Sequence, residues 1–449
     1  MGGKKMKKRK ILSLIITVAL ATSLLAGCGT KANTDDTKEA PATATATTTT
    51  TDKAVKITLL NTKGEILTQL EDAAKAFTVE NPNITVEVIP VAAGASPFQK
   101  ISTMYAAGNA PTLAMLDPND IPKVADKFAD LSAEKWVADA AAGTLDAGSV
   151  NGKVMSFPLA IEGYGLIYNK VVMDKAGVDP TTIKTTKDLE AAFAKVQAAG
   201  VTPMALSPMD WSLGAHYLPS AYLDQSNEAG AADKFTEDLR AGKVDLSTNA
   251  VFNGLMTTFD VLKANNYDKK TPLAGVYEKA AEYLGKGEVG FWFMGNWAWP
   301  DIKKFDTADG QYGFIPVPIS NNADDYGNSQ IFAGSAKYIG IDIKNNDADQ
   351  QASGKKFLEW LVYSESGQDA LVNKCSLVPA FSNIKLEIKD PLGKAVSQYL
   401  TDKKTIPTIT TLPGDHWAQV GASMQKYLDG KSDKKALATE IENYWKNVK

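Results

Sequence analysis

Two short stretches hold most of the side chains that could do chemistry. The first runs Val154-Met-Ser-Phe-Pro-Leu-Ala-Ile-Glu162-Gly-Tyr164-Gly-Leu-Ile-Tyr-Asn169, and Glu162 is the only charge between Lys153 and Lys170. A carboxylate in an apolar run is costly to bury alone. Two readings stay open. Glu162 stands at a cleft edge and accepts hydrogen bonds from hydroxyls, with Tyr164 beside it, or it pairs with a Lys or Arg elsewhere as structure. Gly163 and Gly165 would let the backbone approach a ligand or turn sharply. The second stretch, Phe291-Trp-Phe-Met-Gly-Asn296-Trp297-Ala-Trp299-Pro300, places three of the chain's eight tryptophans close together. An indole offers a flat apolar face and one N–H donor. Sugars present C–H faces that stack on such rings, and hydroxyls that need polar neighbours such as Asn296. Core packing is the alternative, expected for Trp292 and for one of Trp297 and Trp299. Trp297, which follows Gly295-Asn296, is the favoured ligand face.

Other candidates lie at element ends. Trp211 sits in Ser207-Pro-Met-Asp-Trp-Ser-Leu-Gly214 and Trp417 in Pro413-Gly-Asp-His-Trp. A loop Trp is more suggestive of binding than one on a helix face such as Trp360, with packing the even alternative. Asp117, after the apolar Thr112–Leu116, and Asn61 and Lys63, after the first strand, stand where the carboxyl end of a sheet places polar ligand contacts. His416 reads as a surface or capping residue. Cys375, in Cys-Ser-Leu-Val-Pro, reads as a buried small hydrophobe.

Much is excluded. The sequence has no G-x-S-x-G elbow, P-loop, G-x-G-x-x-G or H-E-x-x-H. No catalytic residue is assigned and no cofactor is expected. The two histidines, His216 and His416, have no metal-ligand spacing around them, so no metal is expected either. Asp324-Asp325 lies in a polar loop and reads as solvated surface. Lys and Arg number 48 against 52 Asp and Glu, a formal charge of -4. That leaves no basic excess for nucleic acid.

The elements that must position these residues follow from periodicity. Val55–Leu60 is β-rich. Ile66, Leu67, Leu70, Ala73, Ala74 and Phe77 share one helix face, and Asn81-Pro82 ends it. Ile84–Ile89 alternates as a strand does. A helix carrying Phe98, Ile101, Met104 and Tyr105 follows, then the apolar Thr112–Leu116. The order β-α-β-α-β implies parallel pairing with helical crossovers. Further strands are expected at Gly165–Tyr168, Glu288–Met294 and Ala336–Asp342. Helices are expected through Leu189–Val196, Tyr277–Leu284 and Phe357–Leu361. The length of 449 residues is too great for one core. Two α/β bodies facing each other would make a cleft suited to a small molecule.

The N-terminus is an address. Lys4-Lys-Met-Lys-Lys-Arg-Lys10 precedes an apolar run from Ile11 to Leu25 and then Ala26-Gly27-Cys28. This is the pattern of a signal peptide, too short to span a bilayer. Leu25-Ala-Gly-Cys28 resembles a bacterial lipobox, which is cut before the Cys and carries lipid on the thiol. Such a cut over 1–27 removes six basic residues and takes the formal charge from -4 to -10. Residues 28–54, rich in Thr and Ala, read as a flexible spacer.

Several runs then point to one family: Phe77-Thr-Val-Glu-Asn-Pro-Asn-Ile-Thr-Val86, Phe157-Pro-Leu-Ala and Gly165-Leu-Ile-Tyr-Asn-Lys170, Gly287-Glu-Val-Gly-Phe291 with Met294-Gly-Asn-Trp297, and Tyr312-Gly-Phe-Ile-Pro-Val-Pro318. With the lipobox and spacer, the chain resembles the family 1 extracellular solute-binding proteins, the maltose-binding-protein-like sugar receptors of ABC importers. The resemblance implies an α/β, two-lobed periplasmic-binding-protein-like fold of type II, with a ligand cleft between lobes. It implies a first lobe of 55–130 and 319–365 and a second of 131–318 and 366–449. Glu162 and Tyr164 match a cleft segment, Trp297 matches a stacking Trp, and Trp417 falls near a C-terminal aromatic. Trp297 follows Asn296 directly, which not all relatives share, so stacking stays open between Trp297 and Trp299. The implied function is a monomeric receptor, lipid-anchored at the outer face of the cell membrane. It would hand a carbohydrate, from the number of tryptophans an oligosaccharide, to the permease subunits of an ABC importer. The competing readings are an extracytoplasmic carbohydrate-active enzyme using Glu162 and Asp117, and the same scaffold binding a non-sugar solute.

Overall fold

The computed structural model describes residues 53–92 and 95–448. The leader 1–27, the lipobox Cys28 and the spacer as far as Asp52 lie outside the described residues. The first strand, β1, is Val55–Asn61. Helix α1, Leu67–Glu80, buries Leu70, Ala73, Ala74 and Phe77, the stripe its spacing predicts. Asn81 closes it, its side-chain amide donating to the Phe77 carbonyl at 3.0 Å, and Pro82 cannot continue it. Strand β2, Ile84–Pro90, alternates between half-buried and exposed positions as an edge strand does. Helix α2, Pro97–Ala106, starts on a Ser96 cap that accepts from the Gln99 amide, with Pro97 in the first turn. Strand β3 is Leu113–Leu116. As expected, β1 runs parallel to both β2 and β3.

The pairing then changes sense. The strand Ile331–Ile341 runs antiparallel to β3 through Tyr338–Ile341 and antiparallel to the strand Phe157–Asn169 through Phe332–Ile339. Phe157–Asn169 continues antiparallel to Val289–Gly295, which is parallel to Thr202–Ala205. The expected strand 336–342 therefore starts at Ile331. Its earlier residues fill a slot between Phe157–Asn169 and Thr405–Pro407. A bulge interrupts the ladder between Ser335 and Lys337.

These two long strands feed separate cores. One packs Ile57, Phe77, Met115, Trp136, Phe157 and Phe357. The other packs Leu166, Phe193, Phe252, Phe293, Val420 and Trp445. On the opposite sheet face Ile167, Trp292, Met294 and Trp299 form a third cluster, which follows from the two-residue period of a strand. Core membership divides the chain differently from the expected lobe boundaries. Trp136, Phe157, Leu371 and Phe381 pack with the first core although they lie in 131–318 and 366–449. Ile319 and Phe332, from 319–365, pack with the second. The reason is that both crossing strands change core part-way along their length.

Candidate functional site

Where β1 ends, Asn61 turns the chain. Its side-chain amide donates to the Lys63 carbonyl and its oxygen accepts the Lys63 amide, both at 2.9 Å. At 1% exposure and with these bonds made, Asn61 shapes the turn that carries Lys63. The turn aims Lys63 inward. Its ammonium, only 4% exposed, meets Glu65 at 2.6 Å and also pairs with Glu162. Burial works to lower the Lys63 pKa, but the charges of Glu162 and Glu65 and their hydrogen bonds hold it above the usual lysine value. So Glu162 has the cationic partner that the sequence left open. Two carboxylates share one ammonium, which leaves an excess of acceptor lone pairs.

Next to Glu162, the Gly163 amide donates to Asn296 Oδ1 at 2.9 Å. Asn296 is 1% exposed, and its Nδ2 donor has no partner among the described residues. The two glycines serve packing rather than ligand approach. A Cβ on Gly163 would lie 2.7 Å from Val396, and one on Gly165 would lie 2.8 Å from the Ile315 carbonyl. Tyr164 shares a strand face with Glu162 but is 3% exposed. Its ring stacks on Phe332 at 5.1 Å.

The tryptophans separate. Trp299 is 6% exposed and packs 5.6 Å from Tyr312, within a core cluster. Trp292 is fully buried and donates to Ser207 Oγ at 2.9 Å. Trp297 is half-buried and folds over Gly295, where a Cβ would fall 2.0 Å from the indole. Trp211 is also half-buried and leads into a wide helical turn, Ser212–Tyr217, with π-type winding. That turn lies directly on the helix His416–Leu428, which carries the half-buried Trp417 in its first turn. The contact is backbone on backbone. A Cβ on Gly214 would sit 2.3 Å from the Trp417 carbonyl, and one on Gly421 would sit 2.4 Å from the Asp210 carbonyl. Both histidines support this junction. His216 Nδ1 lies 3.1 Å from the Trp211 carbonyl. His416, expected as a surface or capping residue, starts this helix but is 1% exposed and meets the Tyr222 hydroxyl at 3.2 Å, because the helix is pressed into the second core.

Two further groups come from the side of the first core. Asp117, in the turn after β3, pairs with Lys337, which the bulge at Ser335–Lys337 re-aims. Their charges reach His216. Glu65 likewise acts on Tyr277, and the turn Gly64–Ile66 lies beside the helix Trp299–Ile302. The charges of Asp117, Lys337 and Glu65 thus act on His216 and Tyr277. Sequence reasoning missed Glu65 and His216. Glu65 lies two residues beyond Lys63, and that proximity was the available signal. Cys375 is buried, which pushes its thiol up to about 12.

Residues 72–404 match the family described as bacterial extracellular solute-binding protein, which is most of the chain. This chain belongs to that family. The solute-binding protein is 24% identical over 330 residues to an ABC transporter extracellular-binding protein of Pyrococcus horikoshii, covering 70% of each. It is 24% identical over 306 residues to the multiple sugar-binding protein of Streptococcus mutans, covering 67% of this chain and 68% of that one. Among solved structures, the solute-binding protein RafE in complex with raffinose superposes with a TM-score of 0.73 at 20% identity, over 87% of this chain and 99% of that one. The solute-binding protein therefore has the two-lobed type II fold, with its cleft between lobes.

Proposed function

We propose that this protein is the carbohydrate receptor of an ABC importer and that it takes an oligosaccharide. The observations that carry this reading are two half-buried indoles, Trp211 and Trp297, on either side of His216, and a buried group of two carboxylates and one ammonium that includes Glu162, on the strand whose Tyr164 ring lies 6.4 Å from Trp297. Indole faces suit the C–H faces of a pyranose. Glu162 and Glu65, which share Lys63, suit its hydroxyls, and Asn296 Nδ2 offers an unspent donor. The relatives named for multiple sugars and for raffinose support the same class. Glu162, Tyr164, Trp211, Asn296, Trp297, Asp117 and Trp417 remain the residues proposed to line or support the site. A glycosidase would need a free acid and base pair at the scissile bond. Here Glu162 and Asp117 are each tied to a lysine, which favours capture without bond cleavage. The protein is proposed to act as a monomer, tethered through lipid on Cys28 to the outer face of the membrane. Among the described residues no helix is long and apolar enough to cross one.

The test is calorimetry of ligand-free, folded protein against raffinose, stachyose, maltotriose, xylotriose and chitotriose. Saturable heat with at least one of them is expected, and heat from none of them would defeat the reading. Cys28→Ser should move the protein from the membrane fraction to the medium. Continued membrane retention would defeat the anchor.

A further inference from the structure

We propose that His216 is itself a ligand contact, accepting a saccharide hydroxyl on Nε2 while Nδ1 locks the Trp211 backbone in place. The inference rests on the carbohydrate reading above. It starts from an unusual backbone: the turn Ser212–Tyr217 has π-type winding, which is rare and concentrates at functional sites. The imidazole on this turn gathers rings from three separate segments. Its centre lies 4.9 Å from Tyr164 and 5.7 Å from Trp211, both edge-on, and 5.0 Å from Trp297, tilted by 41°. The two indoles proposed to hold the sugar therefore flank one imidazole.

The tautomer follows from the partner. A carbonyl oxygen only accepts, so the 3.1 Å contact between Nδ1 and the Trp211 carbonyl requires the proton on Nδ1. Burial pushes the His216 pKa down to about 4, so the ring is neutral at pH 7. In the neutral ring with Nδ1 protonated, Nε2 is a bare acceptor. It has no hydrogen-bond partner among the described residues, and His216 is only half-buried. The charges of Lys337 and Asp117 also act on the ring. The other histidine shows what a purely structural role looks like. His416 is 1% exposed and spends its Nε2 on the Tyr222 hydroxyl. A bare acceptor between two indoles suits a neutral donor that carries apolar faces, which is the chemistry of a sugar ring bearing a hydroxyl.

Three variants separate contact from packing. The His216→Asn amide can occupy the place of Nδ1 and keep the tie to Trp211, but it has nothing at Nε2. The His216→Gln amide reaches the place of Nε2. His216→Phe keeps the ring and loses both nitrogens. Calorimetry with raffinose, stachyose, maltotriose, xylotriose and chitotriose should show the Asn variant binding the tightest sugar about tenfold more weakly, the worth of one hydrogen bond. The Gln variant should recover part of that loss, and the Phe variant should be weakest. The melting temperature of the sugar-free Asn variant should match the parent. If parent and Asn variant bind alike, or if Asn and Gln lose affinity equally with a lowered melting temperature, the inference is overturned and His216 is packing. If the parent binds none of the sugars, the carbohydrate reading fails first and takes the inference with it.

Discussion

Lys63 and Glu162 form a buried ion pair across 99 positions of sequence, joining the turn after β1 to the strand that runs through both cores. Glu65 shares the same ammonium at 2.6 Å. Removing one partner from such a group leaves a charge without compensation, and the two ends are not equivalent. Lys63→Met leaves two carboxylates facing each other and should lower unfolding free energy by about 3–5 kcal/mol. Glu162→Gln leaves Lys63 with Glu65 and should cost about 1–2 kcal/mol. Urea titration checks the order. An equal or larger loss in Glu162→Gln would show that the ammonium is held by Glu162 alone.

The two tryptophans on either side of Ala298 should fail in different assays. Trp297→Ala should weaken sugar binding at least tenfold, about 1.4 kcal/mol, with little change in stability. Trp299→Ala should lower stability by about 3–5 kcal/mol, because it opens a cavity beside Tyr312. Calorimetry and thermal melting on both variants would show whether the roles are reversed.

Asp390 gives a pH dependence of known sign. It caps the helix Pro391–Thr401 through the Gly393 amide at 2.6 Å, yet it is 4% exposed and its Oδ2 has no partner among the described residues. Burial raises its pKa to about 6, above that of an unfolded Asp near 4. The folded state therefore holds the proton more tightly. Its contribution is most favourable below about pH 4 and is lost as pH rises through 6. Asp390→Asn keeps the capping oxygen without the charge. It should be more stable than the parent at pH 7, by up to about 3 kcal/mol, with the difference closing at pH 4. Thermal melting across that range would exclude the idea if the two curves stayed parallel.

Gly214→Ala tests the junction under Trp211 and Trp417. The added methyl would collide with the Trp417 carbonyl and with the Gly421 amide, 2.6 Å away. The backbones must separate, at a cost of about 1–3 kcal/mol. The change in tryptophan fluorescence on adding sugar should diminish together with affinity. Unchanged affinity would mean that this junction does not set the indole positions.

Local structure was legible because it rests on local rules. The stripe Leu70, Ala73, Ala74 and Phe77 fixes α1, and the alternation in Val289–Gly295 sends Phe291 and Phe293 to one core cluster and Trp292 and Met294 to another. Glu162 stood out as a lone charge in an apolar run, but its partner did not, since nothing in the intervening residues encodes that pairing. Trp297 and Trp299 could not be told apart by composition; the chain turns at Asn296 into short helical turns that leave Trp297 half-buried and Trp299 buried. His216 escaped notice because its significance comes from three rings brought together by tertiary packing. At Asn61 the sequence could not show the turn it makes with Lys63, because a strand end suits both a contact and a turn.

The strand Ile331–Ile341 belongs to both cores, and its ladder skips a residue between Ser335 and Lys337. Any bending of this strand would concentrate there, where fewer cross-strand bonds resist it. Since Lys337 leaves the bulge to pair with Asp117, such bending would also pull on an ion pair that ties this strand to the turn after β3.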